Sequence, residues 1–416
     1  MPSSATVAAP APVSPSQPRE IVLLLTLAGM QFTNILDFMI LMPLAPQLMR
    51  IFTLDPQHFG LLVSAYTFAA AASGFVAAFF IDRFGRRRAL LTVYTGFIVA
   101  TALCGVAPSF HLLLAARIVA GIFGGVIGAL VFTIIADVIP FARRARATAF
   151  VSAAFSLAAV LGVPLGLWFA AHFSWRMPFL ILAGASVVAW AVAWRTVPAL
   201  DAHLGGERRQ PVAQLRAIFG VPNHLRAFGF MIVLLSSVFL VIPFIAAYNV
   251  ANVGVTETDL PYIYFAGGLA TLFTAPLIGW LADRYGKKRV FTVLAFASLV
   301  PIVVMTHLPP LPLAMALVVS VIFFIFVPGR FGPAMALVTG SVAPPLRGSF
   351  MSFNGAIQQL GAGGASLVAG LLVARAADGT LHGFDLAGWC SVAATLMAIV
   401  LAWRIRVVPD GSTARE

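Results

Sequence analysis

The chain has 416 residues, of which 61% are hydrophobic and 10% charged, and it carries a net charge of +12 at pH 7. A soluble domain is typically about 25% charged, so this composition, with a mean hydropathy of +0.98, excludes soluble-enzyme, disordered, fibrous and disulfide-framework classes. Lipid has to be the solvent, and an all-α polytopic membrane protein is expected.

Residues 1–20 are rich in Pro, Ala and Ser and read as a disordered cytoplasmic tail. Beyond them, charges are scarce enough that the gaps between them outline the spans. A hydrocarbon core about 30 Å thick needs roughly 20 apolar residues in helix. Helices are expected at 21–44, 57–81, 89–107, 111–136, 147–172 and 177–197, then at 225–248, 260–282, 290–307, 311–336, 349–374 and 385–407. Ala107-Pro108-Ser109 and Leu308-Pro309-Pro310-Leu311-Pro312 read as tight turns between neighbouring spans. The twelve helices fall into two six-helix bundles, 21–198 and 225–407, joined by a cytoplasmic linker at 199–224 and followed by a tail at 408–416.

Of the 26 Lys and Arg, only Arg50, Arg176 and Arg375 fall in loops on one side, and Arg117 and Arg330 lie within spans. All the others lie on the opposite side, so the positive-inside rule predicts cytoplasmic termini. The basic excess is topology, and no nucleic-acid partner is expected.

The halves repeat. Asp82-Arg83-Phe84-Gly85-Arg86-Arg87-Arg88 closes the second span and Asp283-Arg284-Tyr285-Gly286-Lys287-Lys288-Arg289 closes the eighth, 201 residues later. Two repeated halves form a transporter pattern, with a substrate site expected at the midplane between them. Each carboxylate ends a helix, where it is electrostatically poor unless it faces another helix's N-terminus. Gly85 and Gly286 would permit the tight turn, and the basic cluster would anchor at the lipid surface.

These loops resemble the signature of the major facilitator superfamily. Arg117-Ile118-Val119-Ala120-Gly121 resembles the family's R-x-x-Q-G element, with Ala120 where Gln is usual. Gly162-Val163-Pro164-Leu165-Gly166 resembles the helix-5 motif of drug:proton antiporters, with Val163 inserted between Gly and Pro. Gly162, Pro164 and Gly166 are its residues. The resemblance implies a twelve-helix major facilitator fold in a bacterial inner membrane, and is nearest to drug:proton antiporters and arabinose-efflux-permease-like bacterial exporters. It further implies that Asp82 reaches the start of span 11 near Ser349, that Asp283 reaches span 5 near Ala147, and that Arg117 takes part in proton coupling.

Asp37 is the one acid deep in a span, and buried charge is costly enough to read as functional. Gln31, Asn34 and Asp37 are spaced by three on one helical face, which is expected to line the cavity. The bland alternative is interhelical hydrogen bonding. Arg330 sits in Val327-Pro328-Gly329-Arg330-Phe331-Gly332-Pro333, an interrupted helix of the kind that marks transporter binding regions. It reads as a substrate or counter-ion contact, or as a structural partner of Asp37 or of carbonyls. Asn354 and Gln358 share a face of span 11, and Tyr248 and Asn249 end span 7. They are candidate orienting groups for a ligand or, equally, helix–helix contacts.

No phosphate-cradling loop and no His deep in a span occur, and the loops are too short for an enzyme domain. The reading is a monomeric secondary transporter with no cofactor, a small-molecule substrate and protons as partners in a lipid bilayer, exporting by antiport on the proton gradient. A sugar or organic-acid importer or uniporter of the same fold stands beside it, as does a non-transporting membrane sensor or scaffold.

Overall fold

The computed structural model describes residues 17–80, 83–200 and 211–408. Among these, 11 helices are long and apolar enough to cross a membrane. The helix Arg347–Leu372, counted here as span 11, has 26 residues and would reach about 39 Å, but glycines and amides dilute its apolarity.

In the first half, span 1 is Gln17–Ile40, span 2 Pro56–Phe80, span 3 Arg86–Val106 and span 4 Phe110–Val138. Span 5 runs in pieces from Phe141 to His172, and span 6 is Met177–Thr196. In the second, span 7 is Pro222–Phe239 continued by Ile242–Tyr248 and a π turn at Asn249–Val253. Span 8 is Leu260–Tyr285, span 9 Lys287–Thr306, span 10 Leu313–Gly329 with Phe331–Gly340, and span 12 Phe384–Arg404.

Four local differences from the sequence reading have physical causes. Span 1 ends at Ile40 rather than at 44, because Pro43 cannot continue the helix; a short helix, Ala45–Ile51, follows. The linker is not merely polar, since Pro211–Phe219 is helical and Phe219 packs on Phe228 and Phe353 of the second half. Residues 374–382, between spans 11 and 12, form a hairpin of β1 (Ala374–Arg375) and β2 (Leu381–His382). The two loop glycines also differ. Gly286 ends span 8 at φ +94, where only glycine is unstrained, while Gly85 has φ −58 and caps the start of span 3.

The halves share one hydrophobic core at the end away from the 83–88 and 284–289 loops. It includes Leu62 and Val63 of span 2, Phe244 and Ile245 of span 7 and Ile263 of span 8. Arg50 also pairs with Glu257 across the halves there, at 3.0 Å. Toward the loop end, called the basic end below, the fully buried cores of the halves are distinct, with Phe79 of span 2 packed against the second-half one. One gathers Leu27, Ile134 and Val138, and the other gathers Phe228, Phe291 and Phe350. Span 2 still touches span 11 at that end through Phe75 and Phe353, whose rings are 5.3 Å apart. Span 8 crosses span 5 nearer the middle, where Gly268 backs onto the backbone of Ala159 and Val160.

Candidate functional site

Span 1 meets span 4 in a register set by glycines. Gly128 lies opposite Gln31 and Gly124 opposite Asn34, whose Nδ2 donates to the Gly124 carbonyl at 3.2 Å. One turn further, Asp37 meets Arg117. The face carrying Gln31, Asn34 and Asp37 therefore packs on span 4. Gln31 and Asn34 are half-buried, and Asp37 is fully enclosed.

Arg117 Nη1 donates to Asp37 Oδ2 at 2.8 Å and to the Asp37 carbonyl at 3.1 Å. Thr101 of span 3 donates to Asp37 Oδ1 at 3.2 Å. The guanidinium carbon sits 4.2 Å from the centre of the Tyr66 ring, contributed by span 2. Arg117 Nε and Nη2 are buried and have no protein hydrogen-bond partner. One carboxylate and one aromatic face thus hold a cation that is itself fully buried. Breaking such a pair from one side costs about 3–5 kcal/mol, because it strands a charge in low dielectric. Both the packing and the ion pair need small residues here. A side chain at Gly121 would run into the Tyr66 carbonyl, and one at Gly124 into the Tyr66 hydroxyl.

Arg330 does not pair with Asp37. It sits in the second half, fully buried, at the expected break of span 10. Its Nε donates to the Val327 carbonyl at 3.1 Å, an acceptor the break leaves free. Nη1 donates to Ser298 of span 9 at 3.0 Å and to Thr395 of span 12 at 2.9 Å, and Nη2 donates to Ser237 of span 7 at 2.8 Å. The reading of Arg330 as an open substrate contact gives way to a closed cage joining four helices.

The two cages draw on corresponding spans but not on equivalent positions, since the 201-residue offset carries Arg117 to Val318 and Thr101 to Ile302. Arg117 and Arg330 come from spans 4 and 10, and Thr101 and Ser298 from spans 3 and 9. Spans 1 and 7 supply Asp37 and Ser237, 200 residues apart. The first cage contains a carboxylate where the second has a hydroxyl.

The other candidates form separate groups. Asn354 and Gln358 point their amide nitrogens at Met335 Sδ, at 3.9 and 3.8 Å, and Asn354 Oδ1 is buried without a partner. Tyr248 donates to the Leu308 carbonyl at 3.0 Å. Asn249, in the π turn of span 7, is fully buried with neither amide atom paired.

The loop signature is built into each half separately. Asp82 lies outside the described residues, so its expected reach to span 11 is not observed here. Arg83 is exposed. Arg86 pairs with Asp137, at the end of span 4, at 3.2 Å. Arg87 donates to the Trp194 carbonyl and covers the Trp194 ring at 5.3 Å. Lys288, the equivalent residue, donates to the Ile405 carbonyl at 2.6 Å and lies 5.9 Å from the Trp403 ring. In both halves this cation ties the loop to the C-terminal carbonyls of that half's last span, a favourable end for positive charge. Arg284 lies over Trp280 and Tyr285, and Lys287 is exposed. Asp283 is exposed and has no ion pair or hydrogen bond among the described residues, so its expected contact with the start of span 5 is not formed.

The helix-5 motif is a packing seam. A π turn at Ala158–Gly162 precedes Pro164, which lacks the N–H an α-helix would need there. Gly162 fits against Leu36 and Phe32, and Gly166 against Ile40, all on span 1. Tyr66 and Thr101 were not singled out by the sequence. Both are neutral residues in apolar spans, and only the fold places them on the ion pair.

A family profile described as Major Facilitator Superfamily matches residues 27–329 and 227–416. The MFS-type transporter YceJ of Bacillus subtilis is 25% identical over 336 residues, covering 81% of this chain and 85% of that protein. A chloramphenicol efflux pump of Mycobacterium tuberculosis is 24% identical over 243 residues, covering 56% of this chain and 55% of that one. The crystal structure of a D-xylose-proton symporter superposes with a TM-score of 0.74 at 18% identity, covering 95% of this chain and 99% of that chain.

Proposed function

Since the chain belongs to the Major Facilitator Superfamily, we propose that it is a proton-coupled exporter of small molecules whose coupling carboxylate is Asp37. The observation that carries this reading is the sealed Asp37–Arg117 pair, an ionisable couple at membrane depth with no water-facing edge. A proton taken by Asp37 dissolves the pair and leaves Arg117 to its aromatic neighbour. Loss of that proton restores the pair. Rigid halves that rock about the midplane convert these two charge states into two access states. A membrane potential of 100 mV supplies about 2.3 kcal/mol per charge moved, comparable to the cost of opening a buried pair.

The halves share a core at the end away from the basic loops. At the basic end they meet through Phe75 and Phe79 of span 2 on Phe353 of span 11, which fits a state closed at the far end and only partly parted at the basic one. With that side cytoplasmic and the chain in a bacterial inner membrane, substrate loads from inside and protons enter from outside. The unpaired Asp283 fits the same state. Export rather than import is supported by the efflux-pump relative and by the helix-5 resemblance. The protein is taken to work as a monomer, with no cofactor.

Purified protein in liposomes, given chloramphenicol and an imposed pH gradient, tests this. Uptake into inside-out vesicles that follows the gradient, and that Asp37→Asn abolishes, is the expected result. Gradient-independent flux of any drug tried, unchanged in Asp37→Asn, would refute proton coupling through Asp37.

A further inference from the structure

The Asp37–Arg117 pair is enclosed within the first half, so its charge state needs a physical route to the second. One row of rings leaves it. Arg117 lies over the Tyr66 ring, with its guanidinium carbon 4.2 Å from the centroid. Tyr66 stacks on Phe38 at 5.5 Å and an interplanar angle of 26°. Phe38, the residue next to Asp37, packs on Phe239 at 5.8 Å. Phe239 belongs to the other half and is the last residue of the first helical segment of span 7, before the break that precedes Ile242.

We propose that Tyr66, Phe38 and Phe239 form an aromatic relay that passes the state of the Asp37–Arg117 pair to the break in span 7. The proposal rests on the switching role given to Asp37 above and adds the means of transmission. Tyr66 is the positioning residue at its head. Arg117 makes all its hydrogen bonds through Nη1, and all go to Asp37. When the carboxylate is neutral, the guanidinium keeps the residue-37 carbonyl, with Cys104 of span 3 and the Tyr66 ring also facing it. Of these the ring offers the broadest attractive face, so the guanidinium settles further onto it. The ring has little freedom to yield toward span 4. The Tyr66 backbone is pressed on Gly121, its hydroxyl on Gly124, and that hydroxyl reaches Asn34 Oδ1 at 3.5 Å. Displacement therefore passes to Phe38, which is also pulled directly by movement of Asp37 beside it. Phe239 receives it where span 7 has lost helical continuity and bends most readily. Close-packed interiors have alternative packings rather than continuous give, which suits a two-state element.

The test uses the full chain in lipid nanodiscs, with fluorophores attached through genetically encoded azido residues at Val106 and Tyr262. Both are exposed, one in each half, at the end where the halves share a core. Asp37→Asn serves as the neutral form of the switch. The expected result is a shift of the inter-label distance distribution in Asp37→Asn. That shift should be largely lost when Phe239→Ala or Phe38→Leu is added and retained with Tyr66→Phe, but lost with Tyr66→Leu. Each relay variant alone should keep the wild-type distribution, which also establishes that it folds. A full Asp37→Asn shift persisting in Phe239→Ala and in Tyr66→Leu would overturn the relay while leaving the switch intact. No shift in Asp37→Asn itself would overturn the switching role, and the relay with it.

Discussion

Removing the charge of Asp37 without changing its shape exposes the energetics of the first cage. In Asp37→Asn the Arg117 guanidinium keeps its bond to the residue-37 carbonyl, at 3.1 Å, and loses its only carboxylate. Stranding a buried charge costs about 3–5 kcal/mol. The Tyr66 face at 4.2 Å is present in both proteins and cancels in the difference. A loss of about 3–5 kcal/mol lowers the midpoint of thermal unfolding by about 6–10 °C at about 2 °C per kcal/mol. Arg117→Met should cost less, because the stranded Asp37 can take up a proton and become neutral. The double variant Asp37→Leu/Arg117→Met removes both charges and should melt within about 1 kcal/mol of the parent. Thermal unfolding in detergent gives the stabilities, and gradient-driven flux in liposomes should be lost in all three. A double variant that melts at the sum of the single losses would refute the pairing argument, and so would an Asp37→Asn protein as stable as the parent.

The second cage should respond differently. The hydroxyls that receive Arg330 have acceptors of their own, Ser237 on Leu234, Ser298 on Ala295 and Thr395 on Ser391, so Arg330→Met strands only the Val327 carbonyl and should cost about 1–3 kcal/mol. Arg330→Ala leaves a cavity and should cost about 2–5 kcal/mol in the same melts. At Gly268 a Cβ would lie 2.8 Å from the Ala159 carbonyl oxygen and from Val160 Cα, so Gly268→Ala should wedge spans 5 and 8 apart and lower the yield of a cross-link placed between them. Gly279→Ala, with open space around it, is the control and should leave that yield unchanged. In the hairpin, Thr380 donates to Asp378 Oδ1 from Oγ1 at 2.6 Å and from N at 3.0 Å, which holds the Asp378 carboxyl below its ordinary value of 3.8. The turn is therefore stabilised above that value and loses the contribution as pH falls through the lowered one. Amide exchange at Thr380 should accelerate there, relative to its intrinsic rate, in the parent and not in Asp378→Ala.

Charge-free intervals were enough to mark the spans, because a helix at membrane depth can hardly hide a charge. Proline placed the break at Arg330 for an equally local reason, the missing N–H. What the sequence left open depends on partners brought together by packing. Asp37 had two arginines to choose between, and only the glycine register of span 4 selects Arg117. Tyr66 and Thr101 show no signal, since a Tyr or Thr in an apolar run is ordinary until a charge is set beside it. The repeat was plain in the loops because its basic residues recur in order, and Arg87 and Lys288 do make the same contact in each half. Deeper in the bundles the repeat hides a difference. Both cages hold an arginine and a hydroxyl on corresponding spans, though not at positions the 201-residue offset equates, and of Asp37 and Ser237 only the carboxyl can exchange a proton in the accessible pH range. On the reading of Asp37 as the coupling carboxylate, a proton acts within the first half alone. Its effect would then have to cross the interface mechanically, which is why the proposed relay of rings between Asp37 and span 7 bears on function as well as on packing.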